Sequence, residues 1–221
     1  MNIAENILKH NLQNVYFLTG TALAGKTTMS NALCAKHGFV HFNDNYHEER
    51  FTVWRSIINA KYQPFSTRKK ETTDWEAFFG RPLEEYLAER EQPGEYDEYI
   101  EFMLMELIKL SQNQKVIADI LIPARILTEI SDRNRIACLL ATPELLNCRN
   151  YGARDDHRDF LECLLSLKEP EKKIAVQDEL FRITGEKIKA EAKEYGLFTL
   201  VRTEGSTVEN TLSQLETHFG L

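Results

Sequence analysis

One octapeptide constrains this chain more than any other feature: Gly20-Thr21-Ala22-Leu23-Ala24-Gly25-Lys26-Thr27. It has the pattern G-x-x-x-x-G-K-[S/T], whose residue types answer to the chemistry of a polyphosphate. Such a ligand needs many N–H donors aimed at one point. A loop bounded by glycines lets the backbone wrap the anion without Cβ clashes. A helix starting directly after it offers free N–H groups and the positive end of its dipole. Lys26 supplies a cation, and the Thr27 hydroxyl suits a Mg²⁺ ion carried by the phosphates. The pattern also dictates local structure, because it works only between a strand and a helix. Both are present: Val15-Tyr16-Phe17-Leu18-Thr19 is a β-rich run ending at Gly20, and Thr27 to Lys36 reads as a helix stopped by Gly38.

The strand-then-helix rhythm continues. Phe39-Val40-His41-Phe42 is a second strand and Val116-Ile117-Ala118, ending at Asp119, a third. Arg135 to Ala141 is a fourth, and Leu197 to Val201 a fifth. Continuous apolar runs of this length suit strands covered on both faces, as in a parallel sheet. Thr142 and Pro143 read as the cap and first position of a helix. Ser206-Thr207-Val208-Glu209 has the capping-box pattern. Val208, Leu212, Leu215 and Phe219 then mark one buried face of a last helix. Tyr46 to Gln114 interrupts the rhythm without a convincing strand and reads as a helical insertion. Its end, Tyr99 to Leu110, is apolar enough for a core helix. Nine acidic residues and one arginine lie between Glu84 and Glu106, which reads as a solvated face. Strands alternating with helices predict an α/β fold, and 221 residues predict one domain.

Composition narrows the class. Apolar residues make up 43% and charged residues 28%, a folded rather than disordered balance. The net charge of −7 speaks against a long nucleic acid as partner. No stretch approaches a membrane span, and the polar start, Met1 to Gln13, does not read as a signal peptide. Cys34, Cys138, Cys148 and Cys163 lack zinc-type spacing and read as reduced, mostly buried thiols, so a cytoplasmic protein is expected. No cysteine has an activating partner in sequence, and His37, His41 and His47 lack the helical spacing of a metal site. Trp54, Trp75 and Phe78-Phe79 read as core rather than as a base-stacking platform.

The strand feeding this loop, followed by Lys26-Thr27-Thr28, resembles the P-loop NTPases, and especially their small-molecule kinases, the nucleoside monophosphate kinase and shikimate kinase group. That resemblance implies a three-layer fold with a five-stranded parallel sheet of order 2-3-1-4-5 and helices on both faces. It implies a substrate-side insertion after strand two (here 46–114) and a lid after strand four (here roughly 147–165). It implies ATP or another nucleoside triphosphate, Mg²⁺, and a small acceptor as partners. The nucleotide site would run from Gly20 to Thr28. Such kinases often carry glycine where this chain has Leu23.

The same resemblance places further residues. Asp44, at the end of strand two, would contact the acceptor hydroxyl and orient it or take its proton. Asp119 is similar to the acidic residue ending the Walker B strand and would hold Mg²⁺ through water, with Thr27 as the other metal residue. Ile120 follows it, where water-activating ATPases place a glutamate. Arg149, Arg154 and Arg158 fall where the lid is expected. Arg154 and Arg158 would neutralise the transferring phosphoryl group, Arg149 would reach the nucleotide, and Gly152 would act as a hinge. Their neighbours Asp155, Asp156 and Asp159 fit a plain surface of ion pairs equally well. Arg55 and Arg125 would be the substrate-side cations. Arg55 stands among Arg50, Lys61, Arg68, Lys69 and Lys70, which a solvated face also explains.

Two functions remain open on these residues. One is a kinase moving the γ-phosphoryl group of a nucleoside triphosphate to a small hydroxyl acceptor. The other is a nucleotide-binding ATPase or regulatory module with no acceptor. A regulatory GTPase fits worse, because no Asn-Lys-x-Asp run follows the later strands. Oligomeric state is not legible.

Overall fold

The computed structural model describes residues 5–43, 73–91 and 95–221. Five strands form one all-parallel sheet in the order β2-β3-β1-β4-β5. They are β1 (Val15–Gly20), β2 (Val40–Asn43), β3 (Val116–Asp119), β4 (Ile136–Ala141) and β5 (Phe198–Arg202). Each strand lies within a residue of its expected place. The burial gradient follows the order: every residue of β1 and β3 is buried, whereas the edge strands β2 and β5 are mostly half-buried or exposed.

Side chains of β1 alternate between two cores, so the sheet is covered on both sides. Val15 and Phe17 join a core with α1 (Glu5–Asn11), α5 (Glu95–Ser111), α6 (Ala124–Ile130) and the end of α9 (Pro170–Glu194). Tyr16 and Leu18 face a second core with α2 (Lys26–His37) and α10 (Val208–Phe219). Gly38 stops α2 as expected: it is left-handed, at φ 69°, and its N–H returns to the Cys34 carbonyl at 2.9 Å.

The described part of the insertion is helical, with α3 (Trp75–Phe79), α4 (Leu83–Glu91) and α5. The expected core helix is there: Ile100, Met103, Leu104 and Leu107 of α5 are buried against the sheet. The acidic stretch is not wholly a solvated face. Glu84, Glu85 and Glu101 are exposed, but Glu106 is buried on the core side of α5.

Three local expectations give way to long-range contacts. Thr142 does not cap a helix. Its N–H extends the sheet by bonding the Arg202 carbonyl at 3.1 Å, and Thr142-Pro143 opens only a turn. The helix after β4 is α7 (Cys148–Gly152), capped by Asn147, whose side chain accepts from the Asn150 N–H at 2.9 Å. At the last helix the cap is Thr207, one residue later than expected. Ser206 Oγ instead accepts from the Thr203 N–H and closes the turn after β5. Val208, beside that cap, is exposed rather than part of the buried face; Leu215 and Phe219 are buried.

Away from the sheet lies a third apolar cluster. Phe79 of α3 packs edge-to-face on Phe160 of α8 (Arg158–Ser166), at 5.8 Å between ring centres. Cys148, Leu164 and Ile174 complete it, with Trp75 and Phe78 at its margin. Of the aromatic residues expected in the core, Phe79 is buried, while Trp75 and Phe78 pack half-buried against it. Glu76 reinforces the join: it accepts from the Lys168 N–H and pairs with Lys173 at 2.9 Å. Those two contacts, the backbone one foremost, hold its carboxyl below the usual range.

Gly152 ends α7 inside this cluster, where an added Cβ would overlap Leu161 of α8. Its place in the fold is a close approach between helices. Gly152→Ala is therefore expected to cost about 2 kcal/mol by overpacking and to lower the urea midpoint. A hinge role alone would leave the midpoint unchanged and lower turnover instead.

Candidate nucleotide-binding site

The loop between β1 and α2 is fixed by backbone geometry before any ligand is considered. Gly20 has φ 128°, and a Cβ there would overlap the Leu139 carbonyl oxygen of β4, so only glycine fits. Thr21 ties the loop down twice. Its N–H donates to the Leu139 carbonyl at 2.9 Å, and its hydroxyl accepts from the Ala141 N–H at 2.7 Å. Leu23 is left-handed at φ 60°, unusual for leucine, and its side chain is buried. Gly25, at φ 85°, leads into α2 with no side-chain cap and no acidic residue in the first turn. The free N–H groups there keep their capacity for an anion. Lys26 folds back across the loop, its Nζ donating to the Thr21 carbonyl at 2.8 Å. Ala22, Gly25, Lys26 and Thr27 are half-buried and Thr28 exposed, whereas Thr21, Leu23 and Ala24 are buried.

Beside the loop stand the two expected metal residues. Thr27 Oγ1 donates to Asp119 Oδ2 at 2.7 Å, so the start of α2 and the end of β3 meet. Asp119 is only 6% exposed. Burial alone would raise its pKa. The His41 side chain, the Lys26 charge and the Thr27 hydroxyl together outweigh burial and leave it below the usual value. A carboxylate and a hydroxyl form a hard oxygen donor pair, which fits Mg²⁺. Among the described residues no three His, Cys, Asp or Glu side chains gather as a metal cage. A metal here would take its remaining ligands from phosphate and water. His37 lies at the far end of α2, paired with Glu216 at 2.7 Å; His47 is outside the described residues.

The expected lid arginines are engaged with their own surroundings. Arg149 meets Glu171 of α9 at 2.7 Å, and Arg158 meets Asp155; both pairs are exposed. Arg154 is half-buried just before the turn Asp155–His157. Arg125 is exposed on α6 and reaches Glu129, one turn on, at 3.4 Å. Asp44 and Arg55 lie outside the described residues, as do Arg50, Lys61, Arg68, Lys69, Lys70 and Trp54. Burial keeps the thiols of Cys34, Cys138 and Cys148 protonated. Burial pushes Cys138 up to about 12 and raises Cys148 and Cys34 as well, and no disulfide forms among the four.

Two groups at the site escape the sequence reading. Arg202, at the end of β5, donates from its guanidinium to the Leu23 carbonyl at 2.5 Å. His41 stands 3.9 Å from Asp119, with Asn31 at its other ring nitrogen. Nothing near Arg202 in sequence signals its contact, which spans most of the chain. Asn31 carries a signal: it is four residues after Thr27, on the same face of α2.

A glycine-bounded loop between strand and helix, on a parallel sheet of order 2-3-1-4-5 with helices on both faces, defines the fold of the P-loop small-molecule kinases. Among solved structures, a shikimate kinase from Bacteroides thetaiotaomicron is similar across 94% of this chain and 98% of its own. The TM-score is 0.53 and the sequence identity 20%, a likeness of fold. No protein-family model matches the sequence. No curated protein matches it either. No helix among the described residues is long and apolar enough to cross a membrane.

Two glycines separate the causes of intolerance. Gly38 is left-handed but has open space around its Cβ position, so Gly38→Ala is expected to cost about 1 kcal/mol. Gly20→Ala adds the overlap with β4 and is expected to cost about 3 kcal/mol or more. Urea denaturation of the two variants measures the difference.

Proposed function

We propose that this chain is an ATP- and Mg²⁺-dependent kinase that phosphorylates a small hydroxylated acceptor. The observation that carries the reading is the Thr27–Asp119 contact beside Lys26, which gathers the metal residues and the phosphate cation at one mouth of the loop. The loop amides of Gly20 to Thr28 and the Lys26 ammonium hold the donor phosphates. Lys26 exchanges its bond to the Thr21 carbonyl for phosphate oxygen, a stronger, charge-assisted partner. Thr27 and Asp119 hold the Mg²⁺, which supplies neutralising charge to the phosphates when bound.

Asp44 orients the acceptor hydroxyl and takes its proton as the oxygen attacks the γ-phosphorus; the bond to the bridging oxygen breaks and the nucleoside diphosphate leaves. Arg55 and Arg125 bind the acceptor's anionic groups. Residues 147–165 act as the lid and 46–114 as the acceptor-side insertion of a single domain. Arg154 and Arg158 offset charge in the transition state, and Arg149 reaches the nucleotide. Arg149 and Arg158 must first leave Glu171 and Asp155. Exposed pairs of that kind are worth only about 0–1 kcal/mol, so a triphosphate outcompetes them. The thiol state and the lack of a spanning helix among the described residues support a cytoplasmic setting.

The second reading, a nucleotide-binding ATPase or regulatory module with no acceptor, draws on the same arginines. Their present partners hold them on the surface, as in a protein that never closes a lid.

Lys26→Ala is expected to lower kcat/KM for phosphoryl transfer by roughly 100-fold or more, about 3 kcal/mol in the transition state. The assay follows ATP consumption and phosphorylated product against a panel of nucleosides, nucleotides and hydroxy acids, shikimate among them. Unchanged turnover in the variant would sink the kinase reading. Tight ATP binding by calorimetry with no product from any acceptor would favour the module.

A further inference from the structure

Asp119 does not stand alone on the metal side. His41 Nε2 is buried, makes no hydrogen bond among the described residues, and lies 3.9 Å from Asp119 Oδ2. The imidazole is only 16% exposed. Its other nitrogen, Nδ1, sits 3.0 Å from Asn31 Oδ1. Four residues from three elements therefore form one chain: Asn31 and Thr27 from α2, His41 from β2, Asp119 from β3.

The layout follows from two periodicities. Thr27 and Asn31 are four apart on α2 and share the face turned to the β2–β3 edge. In the sheet, His41 pairs in register with Ile117 and Asn43 with Asp119. The imidazole thus starts two residues below the carboxylate and leans up towards it. A carboxylate beside Nε2 selects the tautomer that carries its proton there. That tautomer has Nδ1 accepting, so the Asn31 amide turns by half a turn and brings its NH₂ to the ring in place of the Oδ1 that faces it, an exchange that leaves the amide's shape unchanged. A buried ring nitrogen with no partner, held short of a carboxylate by one fixed neighbour, is costly unless it bonds in some state of the protein.

We infer that His41 is a positioning residue for the metal carboxylate. Its Nε2–H closes onto Asp119 when Thr27 is drawn from Asp119 to the metal, and it fixes the face the carboxylate presents. The inference rests on the phosphate-loop reading above and deepens it. Asp119 now has one donor in hand, Thr27 Oγ1 at 2.7 Å, and a second in reserve. When the first is withdrawn, the second keeps the buried carboxylate from losing all neutral hydrogen bonding. Such outer partners commonly govern metal affinity by 10- to 100-fold.

The test uses the full-length protein with ADP and Mn²⁺ as probe, read by the electron spin resonance of bound Mn²⁺. Metal-free ADP binding is measured in parallel by calorimetry. His41→Leu, close in volume but without a donor, is expected to weaken Mn²⁺ in the ternary complex roughly 10-fold. His41→Gln, which keeps an N–H at similar reach, is expected to stay within roughly 3-fold of wild type. Metal-free ADP affinity is expected to be unchanged in both, since the loop amides are untouched. If His41→Leu does not fold, Asn31→Leu, which frees the ring, serves in its place with the same expected direction.

Wild-type Mn²⁺ affinity in the leucine variant overturns the inference. So does a glutamine variant as impaired as the leucine variant, or a parallel loss of metal-free ADP binding, which marks a merely structural role. Wild-type protein that binds no ADP with or without metal overturns the phosphate-loop reading itself, a separate and recognisable outcome.

Discussion

Everything at the candidate site hangs from the junction of β1 with β4. Gly20 passes so close to the Leu139 carbonyl that no side chain fits, and Thr21 then bonds Leu139 and Ala141 at once. Those contacts set where the chain leaves the sheet and hence where the next amides point. α9 closes the other side. A Cβ on Gly185 would meet Leu146 at 2.9 Å and Thr21 at 3.6 Å, so the helix packs almost directly on the loop. A loop held this way has already lost the freedom that binding would otherwise take from it. Donors fixed beforehand bind an anion without reorganising.

Most of the frame was legible because it is written locally. Apolar runs gave the five strands, Gly38 stopped α2, and the loop pattern demanded a strand before it and a helix after it. Thr27 and Asp119 were legible for a related reason: each ends or begins an element, so knowing the element places the residue. What escaped reading depends on distant partners. The Thr142 N–H is taken by Arg202 of β5, which turns an ideal cap sequence into sheet. Gly152 looks like a hinge in sequence and is a packing contact only because Leu161 lies across it. His41 reads as an edge-strand residue until β3 brings Asp119 beside it. Arg202 has no local mark at all. Asp44 and Arg55 lie outside the described residues, so the acceptor side rests on the resemblance alone.

The third apolar cluster joins segments that lie far apart along the chain. α3 of the insertion and α7 and α8 after β4 are far apart in sequence, yet Phe79, Cys148, Phe160 and Leu164 share one core. The Glu76 bonds to Lys168 and Lys173 tie α3 to the turn after α8 and to the start of α9. Ile174 of α9 belongs to that cluster, while Ala192, near the other end of the same helix, belongs to the main core. One long helix therefore spans from the cluster, past the loop at Gly185, to the body of the sheet. Packed apolar contacts resist shear, so a shift of one cluster element carries its partners along. Displacing the segment after β4 without α3 would mean separating Phe79 from Phe160, which exposes a large aromatic surface to water.

Leu23 shows how the loop manages without the glycine that similar kinases often carry. A left-handed leucine costs about 1–2 kcal/mol in backbone strain. Two features of this chain oppose that cost. The side chain is 8% exposed, and burying a leucine is worth about 1.5–3 kcal/mol. Arg202 adds a charged hydrogen bond to the Leu23 carbonyl, of a kind worth about 1.5–3 kcal/mol. Either contribution alone matches the strain, so the conformation is stable as it stands. Glycine would remove the strain but also the burial, and it would widen the conformations open to the unfolded loop. Leucine clasped by Arg202 therefore gives a stiffer turn than glycine at the same position. The clasp also ties the loop to β5, so the two strands on one side of β1, β4 through Thr21 and the edge strand β5 through Leu23, hold the loop in place.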